Sequence, residues 1–304
     1  MFIKKIFSLL GIALVIWGVA SFSFLLIHLI PGNPVDQILG DMASAMEKQK
    51  LYYALGLDQS LFQQYLHFFK DLLHGNFGYS LYNKVSVASY LKESLPATIE
   101  LSLAAMFMAI AFSIPLGVFS ALKKHSIFDN SFSIFSLFTL STPGFLLGPF
   151  LIWLLALRFP IFPAGERGTL MHLFLPALSL ALPLGAILTR VCRSSLLDTL
   201  AEDYIRTAKA KGLSNFKIYF KHALKNAIGP VITTIGLQFA ALLTGTVITE
   251  TIFDWPGIGK LLLDAINQRD YPIVQACVLV IALIYVFINL LTDFAHQYSQ
   301  ANRQ

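Results

Sequence analysis

Asp254 to Leu261, "DWPGIGKL", holds Gly257, Gly259 and Lys260 in an order that suggests a phosphate-binding loop. That loop needs Gly, four residues, Gly-Lys and then Ser or Thr, so that backbone N–H groups and the lysine surround the phosphates. Here Asp254 takes the first glycine position and Leu261 the hydroxyl position, and the dinucleotide pattern Gly-x-Gly-x-x-Gly fails at Leu262. A tight turn accounts for Pro256, Gly257 and Gly259. The seven histidines form no His-Glu-x-x-His motif, His67 and His74 sit along an amphipathic segment, and His28 falls near the end of an apolar run. Cys192 and Cys277 lie far apart in or beside apolar stretches, without metal-site or disulfide spacing. No serine stands in a nucleophile elbow. The expectation is a non-catalytic chain with no catalytic, metal-binding or cofactor-binding residue of its own.

The remaining candidates are polar residues inside apolar runs. Gln238 and Glu250 lie in one such run, Asn289 and Asp293 one turn apart in another. Lipid offers such groups no partner, so they face a neighbouring helix or a cavity. Gln238 and Asn289 are therefore expected either to hydrogen-bond between helices or to line a translocation path. Glu100, Glu250 and Asp293 fall near the ends of their runs and are expected to need no special role. A proton-coupled transporter would carry a carboxylate near a helix centre, and this pattern lacks one.

The elements that must position these residues follow from composition. Of the 304 residues, 56% are hydrophobic and 13% charged, and the mean hydropathy is +0.67. Soluble domains carry about 25% charged residues, so this is an integral membrane protein. Six stretches reach the roughly 20 residues needed to cross a hydrocarbon core: Ile6–Ile30, Ala97–Leu122, Ser131–Leu157, Leu170–Thr189, Ile228–Phe253 and Ile273–Phe294. The first follows "MFIKK" but is longer than a signal-peptide core, and reads as a retained anchor. Pro176 and Pro183 predict a bend in the fourth. With the N-terminus inside, the inner segments hold thirteen Lys and Arg residues and the two short outer loops hold four, Arg158, Arg167, Lys260 and Arg269. Positive residues accumulate on the cytoplasmic side, so both termini are expected there.

One inner segment, Glu202 to Asn226, is polar and basic between two apolar runs. Glu202 to Lys211 has no helix breaker, Gly212 can supply a left-handed cap, and Ser214 can cap a second helix. In that helix Phe216, Phe220, Ala223, Leu224 and Ala227 form an apolar stripe, and Lys217, Lys221 and Lys225 a basic one. The pair could lie on anionic headgroups, bind nucleic acid, or dock a cytosolic protein. Tethering between two spans argues against nucleic acid, and composition leaves the other two open.

This segment resembles the cytoplasmic EAA loop of ABC-importer permeases. Aligned on Gly212, the leading positions are Arg206, Thr207 and Ala208, and nine residues on come His222, Ala223, Leu224 and Lys225. Ala208, Gly212 and Leu224 match; Arg206, His222 and Lys225 depart from glutamate, isoleucine and proline. "DYIRTAKAKGLS" and "HALKNA" are similar to the dipeptide, oligopeptide and nickel branch, as are "LIPGNPVDQILG", "ALGLDQSLFQQYLHFF", "GNFGYSL", "LPATIELSL", "IPLGVFSALKK", "LPALSLALPL" and "ETIFDWPGIGKLLLDAINQRDYPIVQA". The tail "HQYSQANRQ" lacks the Asp-Pro common in that branch.

The resemblance implies an all-α integral membrane protein of the type I ABC importer fold, with six transmembrane helices and a coupling helix-turn-helix. It implies a multi-pass subunit of a bacterial inner membrane that passes a small peptide-like substrate, with nickel chelates or glutathione as alternative cargo. A channel or secondary transporter is the more distant alternative. Implied partners are a homologous second permease, two ABC ATPase subunits that bind the ATP and magnesium, an extracytoplasmic binding protein and the bilayer, and no nucleic acid. Arg206, Thr207, Ala208, Lys209, Lys211, Gly212, Phe216 and Leu224 are the implied ATPase-coupling residues. Three regions are expected: residues 1–95 as an anchor helix and long outer segment, 96–295 as the permease core with its loop at 202–226, and 296–304 as a tail. Within the outer segment, Tyr52, Leu55, Leu61, Tyr65, Phe68, Phe69 and Leu72 are spaced for short amphipathic helices. They would cap the spans or meet the binding protein.

Overall fold

The computed structural model describes residues 2–29, 35, 39–40, 43–54 and 56–301. Those residues are helical apart from turns and short connections. In chain order the helices are α1 (Phe2–Leu29), α2 (Ala45–Ala54), α3 (Leu61–Leu73), α4 (Val87–Leu122), α5 (Ile127–Ser141), α6 (Gly144–Ile152), α7 (Leu170–Leu200), α8 (Asp203–Ala210), α9 (Leu224–Gly245), α10 (Val247–Ile252), α11 (Ile258–Gln268) and α12 (Tyr271–Ala301). Two π-helical segments, Trp153–Arg158 and Lys217–Ala223, continue α6 and precede α9.

Among the described residues, α4, α7, Lys217–Leu243 and α12 are each long and apolar enough to cross a membrane, and a fifth span arises if a bent pair of helices is counted as one. The described apolar stretch of α1 is Ala13–Leu25. The bent pair corrects the expected third span, Ser131–Leu157. It comprises α5 and the helix from Gly144 to Arg158, set at 104° to each other. The cause is Pro143, whose ring pushes the preceding residue out of helical conformation; Thr142 is extended at φ −80°, ψ 123°. The expected fifth span, Ile228–Phe253, is also divided: α9 stops at Gly245, and α10 is separate. The fourth span, by contrast, runs helical through Pro176 and Pro183 to Leu200. The Ser179 hydroxyl donates back to the Pro176 carbonyl, three residues earlier in the same helix, at 2.8 Å.

The chain divides into two compact units, one of residues 1–97 and 256–286, the other of residues 98–255 and 287–304. In the first, Val87, Leu91, Ile258, Ala265, Ile273, Ala276 and Cys277 form a buried apolar cluster. Ser23 donates to the Gln275 carbonyl at 3.1 Å, and Gln275 returns a bond to the Ser23 carbonyl at 2.9 Å, tying α1 to α12. Two short helices in this unit begin with capping boxes, Ser44 with Glu47 at α2 and Ser60 with Gln63 at α3. Asp270 is buried and accepts from the Ser80 hydroxyl at 2.5 Å and the Leu81 N–H at 3.1 Å, holding the turn before α4.

In the second unit α7 is the central element, packing on α5, α6 and most extensively on α9. Leu151, Leu175 and Phe253 form its apolar centre, with the Phe162 and Phe174 rings stacked at 4.2 Å. Gly117 explains how closely α4 approaches α7: a Cβ there would lie 2.7 Å from the Cys192 Cβ. Glu250, read from the sequence as interfacial, is fully buried; Thr98 and Thr246 donate hydroxyl bonds to it at 2.7 and 2.8 Å. Those bonds satisfy a carboxylate that would otherwise be costly to bury.

Candidate functional site

The coupling candidates converge on a single turn. Helix α8 is only Asp203–Ala210, too short to persist alone in water, where isolated helices below about 12 residues are marginal. Tertiary anchors and its cap therefore decide its stability. Ile205 and Ala208, one turn apart, are its buried side chains. Beyond Ala210, Gly212 takes φ +75°. The Leu213 N–H then donates to the Ala208 carbonyl at 3.3 Å and the Gly212 N–H to the Lys209 carbonyl at 3.0 Å. This pair of bonds is the Schellman cap, which glycine adopts without a Cβ penalty.

The second helix starts after Ser214, whose backbone carbonyl accepts the Ile218 N–H at 3.0 Å. Its register differs from a 3.6-residue reading. Residues 217–223 are π-helical, with i→i+5 bonding, so the buried positions are Ile218, Ala223 and Ala227, spaced five and then four apart. Phe216 is consequently turned outward at 70% exposure, with the Phe220 ring beside it at 4.8 Å, also exposed. The expected stripe of Phe216, Phe220, Ala223, Leu224 and Ala227 is thus split, with Leu224 half-buried. Helical residues continue without a break from 215 to 245.

Two hydrogen bonds fix this element within its unit. Asn226 donates to the Tyr204 hydroxyl at 2.8 Å, joining α9 to α8, and Ser195 donates to the Ala227 carbonyl at 2.8 Å, joining α7 to α9. Arg206 makes an exposed ion pair with Asp203 at 3.3 Å, of a kind worth little in water. Thr207 donates to the Asp203 carbonyl at 3.1 Å. Lys209, Lys211, Lys217, Lys221 and Lys225 are exposed. The assembled surface is therefore two adjoining aromatic rings among cations, on a short helix pair with a stiff turn. It can fit an apolar pocket with an acidic rim; it has no group placed for bond-making chemistry.

The path candidates are placed differently. Gln238 is 9% exposed, and neither atom of its carboxamide hydrogen-bonds to any described residue. Asn289 is half-buried on α12. A buried unpaired polar group costs about 1–3 kcal/mol. Gln238→Leu, which removes that cost at similar volume, is expected to raise the thermal midpoint of the purified protein. A midpoint below that of the parent would show that the amide is stabilised where it lies.

Sequence reasoning missed Ile205 and Ile218, the anchors of the turn. Ile218 lies off any helical stripe because the π segment changes the spacing. It also missed Asp129, which is buried and held by the Arg193 guanidinium at 2.7 and 2.8 Å. The charge pattern carries no signal for that pair.

Residues 113–303 match the family of the binding-protein-dependent transport system inner membrane component. Residues 1–103 match the N-terminal family of the same systems' membrane components. The chain is 42% identical over 311 residues to the di/tripeptide transport system permease protein DppB of Pseudomonas aeruginosa, covering 92% of each. It is 36% identical over 285 residues to the glutathione transport system permease protein GsiC of Shigella flexneri, covering 94% of this chain and 93% of that one. Among solved structures it is similar to a chain of the inward-facing MetNI methionine ABC transporter, with a TM-score of 0.57 at 14% identity over 69% of this chain and 96% of that one. At that identity the likeness is one of fold, that of an ABC-importer membrane subunit.

Proposed function

Because the chain belongs to the family of binding-protein-dependent transport system inner membrane components, and is a permease subunit of an ABC importer, we propose that its cargo is a short peptide and that the turn at Gly212 is where ATPase motion enters it. The cargo reading rests on the di/tripeptide permease relative, with glutathione, itself a small peptide, as the second. The coupling reading rests on one observation: the exposed Phe216–Phe220 pair is carried on the helix that continues unbroken to residue 245. A push on those rings is delivered along about 45 Å of helix at 1.5 Å per residue.

On this reading two ATPase subunits bind ATP and magnesium and close. Phe216 sits in a pocket of one of them, with Arg206, Lys209 and Lys211 on its rim. Ala208, Thr207 and the cap at Gly212 keep α8 at a fixed angle, and Leu224 begins the transmission into α9. Gln238 and Asn289 line the path formed with a second, homologous permease, which receives peptide from an extracytoplasmic binding protein. The orientation puts both termini in the cytoplasm, following the lysine and arginine distribution. The regions proposed are 1–95, 96–295 and 296–304.

A photo-crosslinking residue in place of Phe216, in the full importer in native membranes, tests the coupling reading. The expected product is an adduct with the ATPase subunit. Adducts with lipid alone would overturn it and favour a helix pair lying on headgroups. The path reading predicts that Gln238→Leu slows peptide uptake even as it stabilises the protein; unchanged uptake would remove Gln238 from the path.

A further inference from the structure

Helix α3 contacts α1 at a depth that belongs to lipid. The Tyr65 and Ser21 hydroxyls are 2.7 Å apart. The Phe24 ring packs edge-on to Tyr65 at 5.4 Å and against Phe68 at 5.7 Å. The apolar run from Ile6 to Ile30 has its midpoint at Gly18. At about 1.5 Å per residue, Ser21 and Phe24 stand about 5 and 9 Å from that midpoint, inside the ~15 Å half-thickness of a hydrocarbon core. A helix in the water beyond the headgroups would not reach both.

The sequence of α3 suits that position. At about 100° per residue, its apolar residues share an arc of about 160°, and Gln63, Gln64, His67, Lys70 and Asp71 fill the rest. One half of the apolar arc holds Tyr65 and Phe68, which pack on α1, and Leu61, which stays exposed. The other half, Phe62, Leu66 and Leu73, is exposed, Leu73 to 84%. At the same level of α1, Phe22 and Leu25 are exposed as well, so the open half of α3 lies level with an uncovered apolar face of that helix. Both helix ends are closed, by the Ser60–Gln63 box and by the His74 N–H donating to the Asp71 carbonyl at 3.0 Å, which suits a medium poor in hydrogen-bond partners.

We propose that α3 is an in-plane amphipathic helix set into the leaflet at the C-terminal end of α1, with Phe62, Leu66 and Leu73 against lipid acyl chains. That is the outer leaflet in the orientation given above. The inference concerns a segment remote in sequence from the coupling turn and does not depend on the cargo. It gives the segment between α1 and α4 a lipid anchor where the sequence left open a cap or a surface for the binding protein.

The test uses Phe62→Cys, Leu66→Cys and Leu73→Cys, with Gln63→Cys and His67→Cys as references, each spin-labelled in the full importer in proteoliposomes. The native Cys192 and Cys277 are buried. Collisions with oxygen should exceed those with a water-soluble nickel chelate at the first three positions, and the order should reverse at the two references. Nickel access at 62, 66 and 73 overturns the proposal. So does a label reached by neither collider, which would place a protein on that face. A Leu73→Trp variant gives a second reading, since brominated acyl chains should quench its added fluorescence and aqueous iodide should not.

Discussion

Gly212→Val is expected to leave ATP hydrolysis by the assembled importer running while peptide uptake falls to background. The space around Gly212 is open, with no atom within 4 Å of the point where a Cβ would stand, so crowding is not the reason. The reason is the backbone, at φ +75°. A left-handed conformation costs an ordinary residue about 1–2 kcal/mol, and a β-branched one is an outlier there. The chain relieves that strain by leaving the Schellman geometry, which frees the Ala208 and Lys209 carbonyls and lets α8 swing. With eight residues and two buried side chains, α8 has little else to hold its angle. Asparagine tolerates the left-handed region, so Gly212→Asn should retain most of the uptake and Gly212→Ala should fall between. Uptake and phosphate release measured on the same proteoliposomes decide the matter. Wild-type uptake by the valine variant would remove the turn from the coupling route, and equal losses for valine and asparagine would show that backbone conformation is not the cause.

The glycine that ends α8 was legible because its physical requirement is local: one residue, one dihedral angle. The four spans that run unbroken among the described residues, in α4, α7, Lys217–Leu243 and α12, were legible for the same kind of reason, since each apolar run needs only its own length. The break at Thr142 was also written in the sequence, as a residue before Pro143, but a hydropathy window averages over a proline and returns one span. Ile218 was not legible. A stripe drawn at 3.6 residues per turn runs through Phe216 and Phe220, and no residue announces that 217–223 will wind as a π-helix. Pairs made by packing were out of reach too. Glu250 finds Thr98 across 152 residues, so its burial followed from the placement of two helices rather than from its neighbours. Gln238 shows the reverse case: its type and depth were plain, and what it faces depends on how helices pack around it.

Arg193→Ala is expected to destabilise the second unit by about 3–5 kcal/mol, the cost of leaving a buried charge without its partner. The reason lies with Asp129, 2% exposed in the first turn of α5. The Arg193 Nε and Nη2 grip its two oxygens at 2.7 and 2.8 Å, the Ser120 hydroxyl donates to one, and the His125 N–H donates to the other at 2.9 Å. Four donors from α4, the turn after it and α7 thus close on one carboxylate. The two partners differ in exposure: the Arg193 side chain keeps 27% of its surface. Its charge can turn to water when Asp129 is replaced, whereas the carboxylate cannot when Arg193 is. Asp129→Asn should therefore cost less than Arg193→Ala, and the double variant less than the sum of the two. Arg193→Lys should rescue little, because an ammonium cannot reproduce the bidentate grip. Thermal midpoints of the four variants form the test, and additive losses would mean that the pair contributes no coupling. Since Ser195, two residues on, bonds to the Ala227 carbonyl, the same short stretch of α7 holds both α5 and the helix that leaves the Gly212 turn. Loosening it should lower uptake as well as stability, in proportion to the loss at Asp129.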